Sequence, residues 1–150
     1  ACGAEVIQLF DSWAGILPEE EFRRWSINPT RRIVEKLRAR CPNVPIIGFP
    51  KGAGALYETY VKETGGDAVS LDCSVPLAWA ARTLQPHAAL QGNLDNVLLL
   101  AGGEAMERET RRIIDVLGQG AFVFNLGHGI LQQTPPEHVA RLAEIIKEAN

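Results

Sequence analysis

Residues able to hold a charged ligand or move a proton recur at five places, each directly after a short apolar run. These are "FDSWAG" (10–15), "FPKGAGA" (49–55), "LDCSVP" (71–76), "QGNLDN" (91–96) and "NLGHGI" (125–130). If the apolar runs are parallel strands, all five segments fall at strand carboxyl ends, where ligands of βα folds gather. Asp11, Ser12, Lys51, Asp72, Asn93, Asp95, Asn125 and His128 then line one polar mouth. His128 stands apart, because Gly127 and Gly129 remove both neighbouring side chains and permit unusual backbone angles. That setting suits an imidazole presented to a ligand, and histidine changes charge near neutral pH.

The other candidates each have a plainer role available. Asp11, Asp72, Asn93, Asp95 and Asn125 are residue types that bond loop backbone or cap a following helix. Lys51 suits solvent, or an anion at a helix start. "GAGA" lacks the full glycine pattern of a phosphate loop. "DSWAG" lacks the glycine two residues before the serine that a hydrolase nucleophile elbow requires, so Ser12 is not read as a hydrolytic nucleophile. His87 and His138 read as surface residues. Trp13, Trp25 and Trp79 read as packing groups, with Trp13 next to the mouth.

The elements that must position these groups follow one order throughout, a short apolar strand and then a helix-compatible stretch. The strands are expected at 5–10, 44–49, 67–71, 87–92 and 121–126. They are apolar on both faces, as parallel strands covered by helices are. In 103–120, Met106, Ile113, Ile114 and Leu117 share a helix face and Gly118 and Gly120 supply a stop. In the last helix Thr134 is expected to cap, Pro135 to take the first helical position and Glu137 to complete a capping box ahead of a stripe of Val139, Leu142, Ala143 and Ile146. Asn28-Pro29 is expected to split residues 17–41 into two helices, since the residue before proline is biased away from helical angles. The repeat fits either a (β/α)8 barrel or an open doubly wound sheet, and five units are too few to close a barrel, leaving two strand edges bare.

The chain has 150 residues, 46% apolar and 22% charged, which is ordinary for one folded domain. No apolar run approaches the roughly 18 residues of a membrane-spanning helix. The net charge of −3, with both signs scattered, gives no reason to expect nucleic acid or an anionic membrane as partner. Cys2, Cys41 and Cys73 are odd in number and widely spaced, so neither a disulfide framework nor a zinc site is expected, and a reducing cytoplasm is. The amino terminus has no initiator Met and no basic segment of a signal peptide, and reads as the interior of a longer chain.

The five motifs, with the last extended to "FNLGHGILQQTPPEHV", resemble the successive strand-end motifs of the uroporphyrinogen decarboxylase family in order and spacing across residues 1–150. The resemblance is to the carboxyl-terminal portion of that family's single barrel domain. It implies an α/β fold, a partial (β/α)8 TIM barrel of about five βα units. It also implies a carboxy-lyase free of cofactor and metal, homodimeric and cytoplasmic, that converts the four acetate side chains of uroporphyrinogen III to methyls in haem biosynthesis, giving coproporphyrinogen III. By motif, Ser12 and His128 match the family's substrate-contacting serine and histidine, and Phe10 an aromatic residue lining the cleft. For His128 the role expected is a contact to a substrate carboxylate more than proton transfer. No catalytic residue is assigned within this segment. The family's arginine pair, its pyrrole-anchoring aspartate and a cleft tyrosine belong to the part not represented here, so the chain alone is expected to be inactive. Two alternatives stand beside this reading. One is a zinc-dependent methyltransferase of the same superfamily, against which no HxC follows "GFPKG" and no cysteine accompanies His128. The other is a non-catalytic binding or assembly module in which the partial barrel pairs with a copy of itself.

Overall fold

The computed structural model of the chain describes residues 3–149. Cys2 lies outside the described residues, and Cys41 and Cys73 are free thiols. The apolar runs form β1 (Ile7–Asp11), β2 (Ile46–Pro50), β3 (Ala68–Ser70), β4 (Ala89–Leu94) and β5 (Phe122–Leu126). All pair in parallel, in the spatial order β1-β2-β3-β4-β5. This monotonic order separates the two architectures that periodicity left open. A doubly wound sheet reverses its strand order at a switch point, whereas a barrel lays each strand beside the last. The chain is therefore a partial (β/α)8 barrel.

The register assigns the two faces. Gln8 lies opposite Ile47, Phe10 opposite Phe49, Ser70 opposite Gln91 and Asn93 opposite Asn125, so these residues share the concave face. Across it the Gln91 amide donates to Gln8 Oε1 and to Ser70 Oγ, each at 3.2 Å. The rings of Phe10 and Phe49 meet edge to face, 6.0 Å between centroids. The alternate residues Val69, Leu71, Leu90 and Leu94 turn to the helices and are buried with Phe22, Tyr57, Leu77, Met106, Leu142 and Ile145. Each such large apolar side chain contributes about 1.5–3 kcal/mol by leaving water.

The covering helices are α1 (Glu19–Phe22), α2 (Asn28–Arg40), α3 (Leu56–Thr64), α4 (Leu77–Thr83), α5 (Asn96–Ala101), α6 (Gly103–Leu117) and α7 (Pro136–Glu148). The expected face of α6 is buried at Met106, Ile113 and Leu117. Two expectations are corrected. The chain does not break at Asn28-Pro29: Asn28 keeps helical angles, and a π-turn over Arg23–Ile27 joins α1 to α2. The wider turn just upstream relieves the clash of the Pro29 ring with the preceding turn and absorbs its missing donor. Nor does Thr134 cap α7. Pro135 stands at the N-cap with no side-chain cap bond, Pro136 opens the helix, and the Thr134 hydroxyl is buried without a partner. The buried stripe of α7 is Leu142 and Ile145, with Val139 and Ala143 exposed.

β1 and β5 each have one neighbour in the sheet. Along the β1 edge Phe10 is 69% and Trp25 58% exposed. Trp13, in the loop after β1, is 74% exposed, so of the three tryptophans only Trp79 packs against the core. Along the β5 edge Phe122 and Phe124 form a groove with Ile114 and Ile146. Among the described residues no helix is long and apolar enough to cross a membrane.

Candidate functional site

Because the strands are parallel, the five motif loops leave the sheet at one end, and contacts between them make a continuous rim. The loop after β1 rests on the loop after β2: Gly15 N–H donates to Lys51 O at 2.9 Å, and a Cβ on Gly15 would lie 2.4 Å from Gly52 O. The loop after β2 is tied to the loop after β3 by Gly52 N–H donating to Asp72 Oδ2 at 2.7 Å. At the end of β4, Asn93 donates through Nδ2 to Asp72 O and Val75 O, both at 3.1 Å. The loop after β5 closes the series. Gly127 N–H donates to Leu94 O at 2.7 Å, and Asn96 Nδ2 to Gly129 O at 2.7 Å. A Cβ on Gly127 would lie 2.4 Å from the Cys73 nitrogen. Ser12 stands at one end of this rim and His128 at the other, in the loops after the two edge strands and at the same end of the sheet.

Asp72 is the hub. It is 5% exposed and takes the Tyr57 hydroxyl and Gly52 N–H on Oδ2, and the Ser74 hydroxyl and N–H on Oδ1. The Tyr57 hydroxyl in turn accepts from Asp72 N–H at 3.3 Å. Burial pushes the Asp72 carboxyl up, but hydrogen bonds from Ser74, Gly52 and Tyr57 outweigh it and hold the carboxyl below its ordinary value. Burial first, and then the Asp72 charge, push the Tyr57 phenol up, so it remains a neutral donor. A carboxyl with a depressed native pKa contributes stability that is full above its unfolded value and drains away as pH falls through the native one. Asp72→Asn is therefore expected to flatten the acid limb of the stability curve below about pH 4, read by urea unfolding across pH. An unchanged acid limb would contradict this role.

The structure sorts the candidates. Asp72 and Asn93 join the rim as its internal ties. Asp95 caps α5, its Oδ1 accepting from Val97 N–H at 2.9 Å. Asn125 Oδ1 accepts from Leu126 N–H at 2.8 Å. Asp11 and Lys51 are half-buried at the strand ends, and Lys51 N–H donates to Asp11 O at 3.1 Å. Ser12, Phe10 and His128 are exposed. Neither glycine beside His128 has a positive φ. Gly127 serves close approach to the Asp72–Cys73 peptide rather than an unusual angle, and Gly129 borders open space. His87 is exposed as expected, but His138 is half-buried, its Nδ1 3.1 Å from Leu99 O. The Cys73 thiol is held up by burial and then by the charges of Asp95 and Asp72, so it stays protonated at neutral pH and is a poor nucleophile. Among the described residues no group of three His, Cys, Asp or Glu could hold a metal ion. Tyr57 is the participant that sequence reading missed. It lies on the buried face of α3, where a tyrosine looks like core until its hydroxyl is found on Asp72.

Parallel βα units wound in one direction, with polar groups gathered at the strand carboxyl ends, define a barrel-type fold with its site on that face. The chain belongs to the uroporphyrinogen decarboxylase (URO-D) family, whose pattern matches residues 1–149. It is 61% identical over 145 residues to a uroporphyrinogen decarboxylase of Rhodospirillum rubrum, covering 97% of this chain and 42% of that protein. A uroporphyrinogen decarboxylase of Granulibacter bethesdensis is 52% identical over the same shares. The chain thus spans about 42% of the length of the curated relatives it matches. A methyltransferase from Methanosarcina mazei superposes with a TM-score of 0.77 at 20% identity, over 97% of this chain and 42% of that one, a likeness of fold.

Proposed function

We propose that the chain is the carboxyl-terminal portion of a uroporphyrinogen decarboxylase, supplying one side of a cleft in which the acetate side chains of uroporphyrinogen III are lost to give coproporphyrinogen III. The observation that carries this reading is the continuous rim, which sets the Ser12 and His128 loops at the same end of one sheet, in a chain of this family. The chemistry asks little of the protein. Protonation of a pyrrole carbon makes the ring an electron sink, and the acetate carboxylate departs as CO2 with its bonding electrons passing into the ring. A proton adds to the resulting exocyclic methylene to leave a methyl, and loss of the proton first taken up by the ring carbon restores the pyrrole. Donors and cations for carboxylates and a shaped apolar wall therefore suffice, with no cofactor. Ser12 and His128 bind substrate carboxylates by hydrogen bond or charge, and Phe10, beside Phe49 on the concave face, lines the cleft. The longer protein acts as a cytoplasmic homodimer.

The test joins this chain to the remaining part of the Rhodospirillum rubrum relative. Each lost contact of this kind is worth about 1.5–3 kcal/mol, so Ser12→Ala and His128→Ala are each expected to lower kcat/KM for uroporphyrinogen III by about tenfold to a hundredfold. Unchanged kcat/KM in both variants would overturn the assignment of these residues.

A further inference from the structure

We propose that Asp72, buttressed by Tyr57, is a positioning residue that sets the span between the Ser12 loop and the His128 loop. This deepens the reading above and rests on it. The two loops sit on different platforms. The Ser12 loop packs through Gly15 on Gly52, and the His128 loop packs through Gly127 on the Asp72–Cys73 peptide. One side chain joins the platforms: Asp72 Oδ2 holds Gly52 N–H at 2.7 Å, while its own backbone carries the peptide beneath Gly127. The Tyr57 hydroxyl fixes Asp72 from both sides, donating to Oδ2 at 2.9 Å and accepting from its N–H at 3.3 Å. Asn93 anchors the same residue from β4 through Asp72 O. Asp72 is buried and both its carboxylate oxygens are taken by protein donors, so it acts through the loops. A macrocycle held at its rim by separate carboxylate contacts needs those contacts at a fixed spacing, and it must be gripped again after each acetate is lost. Contacts to carboxylates away from the reacting acetate are made in substrate and transition state alike, so loosening them raises KM more than it lowers kcat.

Tyr57→Phe, in the chain joined to the rest of the Rhodospirillum rubrum relative, keeps the buried ring and removes the bridging hydroxyl. It is expected to raise KM about tenfold with kcat changed by less than about threefold, and to release intermediates that retain acetate groups. In double-variant cycles its effect is expected to be non-additive with both Ser12→Ala and His128→Ala, because all three act on one set of contacts. Asp72→Asn should show the same pattern more strongly. If Asp72→Asn fails to fold, Tyr57→Phe decides. A lowered Tm with unchanged KM, or effects that simply add to those of Ser12 and His128, would overturn the positioning role. If instead Ser12→Ala and His128→Ala have no effect of their own, it is the functional reading that fails, whatever Tyr57→Phe does.

Discussion

Incubated alone with uroporphyrinogen III, the 150-residue chain is expected to form no detectable coproporphyrinogen III, while the same chain joined to the rest of its relative turns over. The loss expected is at least about a thousandfold, since much of an enzymatic rate comes from holding reactant and catalytic groups in place. The rim spans the ends of five strands, and among the described residues β1 and β5 each pair with one neighbour. Ser12 and His128 are exposed, so any hydrogen bond or charge contact they offer an anion in the isolated chain faces high dielectric, where it is weak. The bare edges carry a second consequence. Phe10 and Val123 stand exposed on the edge strands, and unpaired apolar edges recruit other chains, so the isolated chain is expected to self-associate in sedimentation. Product formation by the isolated chain at a rate near that of the joined protein would contradict this account of an incomplete site.

Gly92→Ala is expected to be the most damaging single-methyl change in the sheet. Gly92 has φ +132, a region that side chains other than glycine rarely enter, and an added Cβ would lie 2.7 Å from Leu71 O, just past β3. Backbone strain and overpacking each cost about 1–3 kcal/mol, so a loss of about 3 kcal/mol or more follows. In the joined protein, more than twice the length of this chain, such a loss lowers Tm by roughly 4 °C, measured by thermal unfolding. The next residue is Asn93, whose amide ties β4 to Asp72 O and Val75 O, so the folded fraction of the variant should also show weakened substrate binding. A Tm within about 2 °C of the parent would show that β4 can shift to admit the methyl.

How much was legible in the sequence depended on whether the cause was local. The strands announced themselves because parallel strands buried on both faces are continuous apolar runs such as "VPIIGF", and the loop motifs follow directly from their ends. Strand order did not: periodicity is the same in a barrel and in a doubly wound sheet, and only the pairing of β1 through β5 separates them. Asp72 was visible as a polar residue at a strand end, but its partners Gly52 and Tyr57 lie 20 and 15 residues away in the chain, and no short-range pattern encodes such a bond. Gly127 was noticed for its conformational freedom, yet it serves close approach to the Cys73 nitrogen, which only folding brings near. Where local rules compete, the sequence alone does not rank them: at Pro29 a π-turn absorbs the ring, and at Pro135-Pro136 the second proline takes the first helical position. Trp13 and Trp25 read as packing groups because large aromatics usually are, but both border a strand edge with nothing beyond it among the described residues.

The proposed function requires that the loops after β1 and β5 grip one macrocycle from the same end of the sheet. A crystal structure of the joined protein with coproporphyrinogen III bound tests it most directly. The account predicts a single tetrapyrrole on the concave side of the rim, with Ser12 and His128 both within hydrogen-bonding reach of its carboxylates and Phe10 against its face. A macrocycle bound elsewhere, or one that touches neither residue, would contradict it.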